Sequence, residues 1–146
     1  MTAVTCPHCG HRSPSVPSGL NGGAICLALA GALIGVAAVL PWETVFGVGL
    51  NGFDVGTAGA LSLSLGLIVG VSGLLQIRGR GIGPGTRAVA LLGGLAAIGL
   101  AILGYVQIHK QTLDYGLVST GSGVFVVAIG GGLAIAAALF GRGRSA

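Results

Sequence analysis

The chain has 146 residues, of which 53% are hydrophobic and only 7% charged, and its mean hydropathy is +0.96. A water-soluble domain carries about 25% charged residues, and seven Lys/Arg with three Asp/Glu could not cover a globule of this size. The composition therefore excludes an ordinary soluble domain and assigns much of the surface to lipid.

Thirty glycines fit the same reading, because small residues let membrane helices approach closely. The sequence pI near 9.5 raises nucleic acid as a partner. The basic residues, however, sit at the ends of apolar runs, where they act as orientation signals, and no nucleic-acid partner is expected.

Residues 1–19 form a polar head with Pro7, Pro14 and Pro17, read as a small cytoplasmic knuckle and linker. The stretch Cys6-Pro7-His8-Cys9-Gly10-His11 is the most chemically specific in the chain. Two thiolates two residues apart on a Gly-supported turn supply half of a tetrahedral zinc site. The stretch resembles the first knuckle, CPxCG, of the zinc-ribbon family, whose second knuckle lies about 15–20 residues on and has no counterpart here.

Three readings of that knuckle stay open: a degenerate remnant, a site completed by His8 or His11, or a four-thiolate site shared between two chains. The same CPHC resembles a thioredoxin-like redox motif, but no βαβ context surrounds it to depress a thiol pKa. Cys26 lies in the first apolar run and reads as a small core residue.

Four apolar runs follow, at about residues 20–40, 57–77, 88–108 and 121–140, none containing Asp, Glu, Lys or Arg. Each is long enough for about 20 helical residues, the length that crosses a bilayer. The expected fold is an all-α membrane protein, a four-helix transmembrane bundle over residues 20–141 with a basic tail at 142–146.

Arg12, Arg78, Arg80, Arg87, Arg142 and Arg144 share one face, whereas Lys110, Glu43, Asp54 and Asp114 share the other. The positive-inside rule then puts both termini in the cytoplasm of a cell whose plasma membrane holds the chain.

The first outer segment, residues 41–56, is apolar for a loop. Trp42, Phe46 and Phe53 suit the headgroup level, and Asn51-Gly52 is a two-residue hairpin signal, so a short outer β-hairpin is expected. A shift of 64 residues aligns Gly59 with Gly123, Gly66 with Gly130 and Arg78-Gly79-Arg80 with Arg142-Gly143-Arg144. That alignment fits two tandem helical hairpins in parallel orientation.

Small residues recur at every fourth position: Gly31 and Gly35; Ser62, Gly66 and Gly70; Gly93, Ala97 and Ala101; Gly130, Ala134 and Ala138. The spacing predicts packing within the bundle, with self-association as the sharper alternative.

Leu40-Pro41-Trp42 and Gly52-Phe53-Asp54-Val55-Gly56-Thr57, with a weaker echo at Gly121-Ser122-Gly123, resemble a set of small four-span prokaryotic membrane proteins of unknown function. In them a first helix ends in LPW and a Gly/Asp turn precedes the second. This chain has Val55 beside Asp54 where a second acidic residue or Gly would stand. The resemblance implies Pro41, Trp42 and Asp54 as anchors of the outer loop, and it implies no activity.

The sequence thus favours a structural or accessory membrane subunit, partnered by lipid and by itself or another membrane protein. A neutral-solute channel and a thiol redox protein are the alternatives, and no catalytic residues are assigned. If zinc is bound at Cys6 and Cys9, elemental analysis of reduced protein should give about half an equivalent per chain for a shared site. It should give about one if His8 and His11 complete the tetrahedron; metal-free protein would mark a degenerate knuckle.

Overall fold

The structure, a computed structural model, describes residues 21–77, 82–115 and 118–141. The knuckle residues Cys6, His8, Cys9 and His11 and the 142–146 tail lie outside these. The described chain is mostly helical: α1 (Gly22–Val36), α2 (Ala58–Leu74), α3 (Pro84–Tyr115) and α4 (Ser122–Phe140), with three short strands, β1 (Pro41–Val45), β2 (Val48–Asn51) and β3 (Val118–Thr120). Successive helices run antiparallel around a ring, α1 against α2 and α4, and α3 against α2 and α4.

The helix lengths depart from four equal spans. α3 and α4 are long and apolar enough to cross a membrane, over Pro84–Thr112 and Ser122–Phe140, whereas α1 and α2 have 15 and 17 residues. At about 1.5 Å per residue these shorter helices reach roughly 22 and 25 Å.

The cause is a tightening of the last turn. Ala38 N–H bonds the Gly35 carbonyl and Val39 N–H the Val36 carbonyl, and Gln76 and Ile77 likewise reach back three residues. The apolar runs therefore outlast their helices. Pro41 adds to this in the first run, because a proline drives the residue before it away from helical geometry.

The strands all lie at one end of the bundle, where α1 and α3 finish and α2 and α4 begin. They form an antiparallel sheet ordered β2-β1-β3. A hairpin is present, but its turn is Phe46-Gly47, between paired Val45 and Val48, and not Asn51-Gly52. Both turn residues have positive φ, 51° and 81°, the backbone of a type I′ turn, whose twist matches the strands.

Asn51-Gly52 has other work. The Asn51 carboxamide oxygen accepts bonds from the N–H groups of Phe53 (2.9 Å) and Asp54 (3.1 Å), which ends β2 in a side-chain-stabilised turn. β3 arrives from the connection between α3 and α4, pairing Val118 with Val45 and Thr120 with Glu43. The Thr112 hydroxyl lies 2.7 Å from the Val118 carbonyl and 3.0 Å from that of Ile108, tying β3 to α3.

At the opposite end, Gln76 links the α2–α3 connection. Its carbonyl accepts from Gly83 N–H (3.0 Å) and its amide donates to the Thr86 hydroxyl.

A phenylalanine with left-handed backbone is strained by roughly 1–2 kcal/mol, and asparagine relieves most of this. Phe46→Asn should therefore raise the thermal midpoint of detergent-solubilised protein, equivalent to about 1 kcal/mol, while Phe46→Val should lower it.

Candidate functional site

Among the described residues, most of the polar chemistry lies at the end of the bundle that carries the sheet, and it is organised by the C-terminus of α1. A helix end leaves its last carbonyls without intrahelical partners. Leu33 O is taken by Ala37 N–H and Gly35 O by Ala38 N–H, which leaves Ile34 O, Ala37 O and Ala38 O. The buried Ser62 hydroxyl donates to Ile34 O at 2.5 Å, the Trp42 indole N–H donates to Ala37 O at 2.7 Å, and Gly52 N–H donates to Ala38 O at 3.1 Å. Three groups from three elements thus complete one helix end.

Trp42 is 1% exposed, so it is a buried plug and not the headgroup-level ring its position suggested. Two features put it there. The β1–β2 register slips between Pro41 and Glu43, so Trp42 is the extra residue of a β-bulge, which re-aims side chains and breaks strand alternation. The indole then lies against glycines: a Cβ on Gly123 would stand 2.6 Å from its Cδ1, and one on Gly52 2.8 Å from its Nε1. Gly104 borders the other edge, at 3.2 Å from Cζ3. The Trp42 carbonyl accepts from Gly121 N–H at 2.8 Å, docking the start of α4, and Pro41 pairs with Asn51 at the edge of the hairpin.

The small-residue positions divide between interfaces. Gly31, Gly66 and Gly70 bring the backbones of α1 and α2 together. A Cβ on Gly66 would meet Gly35 N at 2.5 Å, and one on Gly31 would strike Gly70. Gly93 faces Val69 of α2, where an added Cβ would stand 2.6 Å from Cγ2, and Gly130 abuts Ile34 and Ala30 of α1.

The close α3–α4 contact is made by their sequence neighbours, Gly94 and Gly131: a Cβ added to either would stand 2.7 or 2.8 Å from the other's carbonyl oxygen. The fourfold spacing missed these two. The signal that could have found them is the doublet Gly93-Gly94 and the triplet Gly130-Gly131-Gly132, since adjacent glycines on a helix face two neighbours at once.

Beside the plug, between α2 and α3, lies a cleft of about 500 Å³. Trp42 and Gly104 form its inner wall. Ala58, Leu61, Leu100 and Leu103 make an apolar lower part, and Glu43, Asp54, Thr57, Gln107 and Gln111 line the rest. The α3 contributors fall at helical spacing, one face of a helix that runs well past the start of α2.

Asp54 spends one carboxylate oxygen on Asn51 N–H (3.2 Å); the sequence assigned it to the loop but not to a cleft. Among the described residues no cluster of three or more His, Cys, Asp or Glu could hold a metal. Compared with protein-family models, known proteins and solved structures, the chain matches nothing.

Trp42→Phe keeps most of the ring volume but leaves Ala37 O without its donor, which should cost roughly 1–3 kcal/mol. Gly123→Ala should displace the indole instead. Since Trp42 is the chain's single tryptophan, its emission reports the change directly: a red shift is expected, and an unchanged spectrum would contradict the plug.

Proposed function

We propose that the chain crosses a prokaryotic plasma membrane four times, with both termini in the cytoplasm, as a structural or accessory subunit of a membrane assembly and not as an ion-coupled transporter. The observation that carries this reading is the filled centre of the bundle. Helix contacts there are backbone against backbone at Gly31–Gly70, Gly66–Gly35 and Gly94–Gly131, and Trp42 stops the sheet end. Such contacts leave no room for a hydrated path between the helices.

Coupled transport needs groups that change charge or coordinate ions at mid-depth. The buried polar side chain among the described residues is Ser62, and its hydroxyl is committed to Ile34 O. Ser64 is likewise committed to its own helix, donating to Ala60 O at 2.8 Å.

Four spans, despite two short helices, are supported by what the outside of α1 and α2 presents. Leu29, Val36, Leu67, Ile68, Leu74 and Leu75 are all more than half exposed, a surface suited to hydrocarbon and unsuited to water. The hydrogen-bonded turns that follow each helix carry the apolar run further, to residues 39 and 77. The sheet then occupies the boundary, where the outer edges of β2 and β3, unpaired within the sheet, can meet water and headgroups.

Two measurements test the reading. In a Cys-free background, a cysteine at position 51 should react with an impermeant maleimide in intact cells, and one at position 6 only after permeabilisation. The reverse pattern would invert the topology, and reaction at both in intact cells would break it. In liposomes, purified protein should pass no steady ionic current; a substrate-dependent proton flux lost in Ser62→Ala would establish a transporter instead.

A further inference from the structure

The cleft beside Trp42 is chemically graded, unlike the groove of similar volume, about 480 Å³, between α1 and α2, whose lining is wholly apolar. Its volume of about 500 Å³ falls within the roughly 300–1,000 Å³ of small-molecule sites. The lower part, Ala58, Leu61, Leu100 and Leu103, is aliphatic, whereas the upper rim carries Glu43 and Asp54 from the sheet side and Gln107 and Gln111 from α3.

Among the described residues no lysine, arginine or histidine lines it, so their fixed charge there is of one sign. The Trp42 bulge brings the indole and the neighbouring Glu43 to the same cleft, placing an aromatic wall next to a carboxylate.

We propose that this cleft binds a single-chain amphiphile with an ammonium head. The alkyl chain lies along the leucines between α2 and α3, and the head sits between Glu43 and Asp54. Three features select that chemistry. Two carboxylates attract a cation; the aliphatic lower wall takes a chain that a free metal ion lacks; and two carboxamides at the rim accept hydrogen bonds from a primary ammonium or tolerate a quaternary one. A two-chain lipid exceeds the volume, which leaves the single-chain class.

The proposal does not rest on the direction in which the chain crosses the membrane, because the assay in micelles has no sides. Full-length protein in maltoside micelles is titrated with dodecyltrimethylammonium, and in parallel with dodecanol, while Trp42 emission is followed. The expected result is a saturable change with the cation and a much weaker response to the alcohol of equal chain length.

The double variant Glu43→Gln/Asp54→Asn, which retains the acceptor for Asn51 N–H, should weaken the cation response roughly tenfold. Gln107→Lys, an exposed position on α3, should weaken it as well by adding a repelling charge, and it guards against a local folding defect in the double variant. Equal responses to cation and alcohol, or a cation response unchanged in both variants, would overturn the proposal.

Discussion

The structure turns on one requirement, the satisfaction of the carbonyl groups where α1 ends. In water those carbonyls would be hydrated; buried within the protein, each unpaired one costs about 1–3 kcal/mol. α1 stops at Val36, before its apolar run is finished, and the missing partners are supplied by Ser62 of α2, Trp42 of β1 and Gly52 after β2.

Each donor fixes its own element. Ser62 sets the height of α2 against α1, Trp42 sets the bulge and hence the register of the hairpin, and Gly52 sets the loop that leads into α2. Gly52 then passes the arrangement on, since its carbonyl accepts from Gly59 N–H at 2.8 Å. The Leu40-Pro41-Trp42 motif acquires a physical meaning in this setting: Pro41 turns the chain out of the helix, and the next residue folds back to complete the helix just left.

Below this cap, cohesion comes from close approach. In the membrane setting proposed above, apolar side chains gain little by leaving lipid for protein, so dispersion contacts and interhelical hydrogen bonds hold the bundle. Glycine serves here by absence of volume. At Gly66, Gly94 and Gly131 a Cβ would stand under 3 Å from backbone atoms of the neighbouring helix, and backbone cannot step aside as a long side chain can. These interfaces are therefore stiff, and α1, which receives Gly66 and Gly70 from α2 and Gly130 from α4, is the most constrained helix. α2 and α3 meet through side chains instead, such as Val69 against Gly93, and it is between these two that the cleft opens.

Four apolar runs, their small-residue faces and the existence of a hairpin were legible in the sequence, because hydropathy and spacing are local properties. Helix ends were not: nothing in residues 37–39 or 75–77 signals a turn tightened from four residues to three. The hairpin turn was misread for a related reason. Asn51-Gly52 is the stronger local signal, yet Asn51 is used for its side-chain oxygen and Gly52 for the space beside Trp42, while Phe46-Gly47 accepts strain to close the strands.

Trp42 illustrates the limit most plainly. An aromatic residue after a span reads as an interfacial anchor, and only the bulge, together with glycines at 52, 104 and 123, turns it inward. β3 and its pairing with β1 depend on contacts between residues about 75 positions apart, which no local pattern encodes.

The bulge at Trp42 also joins sealing to recognition. In a regular strand, successive side chains alternate between faces, so a residue that plugged the bundle would send its neighbour away from it. The extra residue in β1 breaks that alternation, and Trp42 and Glu43 both border the cleft. The indole that satisfies Ala37 O is therefore also the wall of the graded cleft, and the group that holds the carboxylate rim in place is the same strand that β3 pins from the other side through Glu43 and Thr120. A change of occupancy in the cleft would act on the indole, and through its hydrogen bond on the end of α1, the helix that α2 and α4 grip most closely.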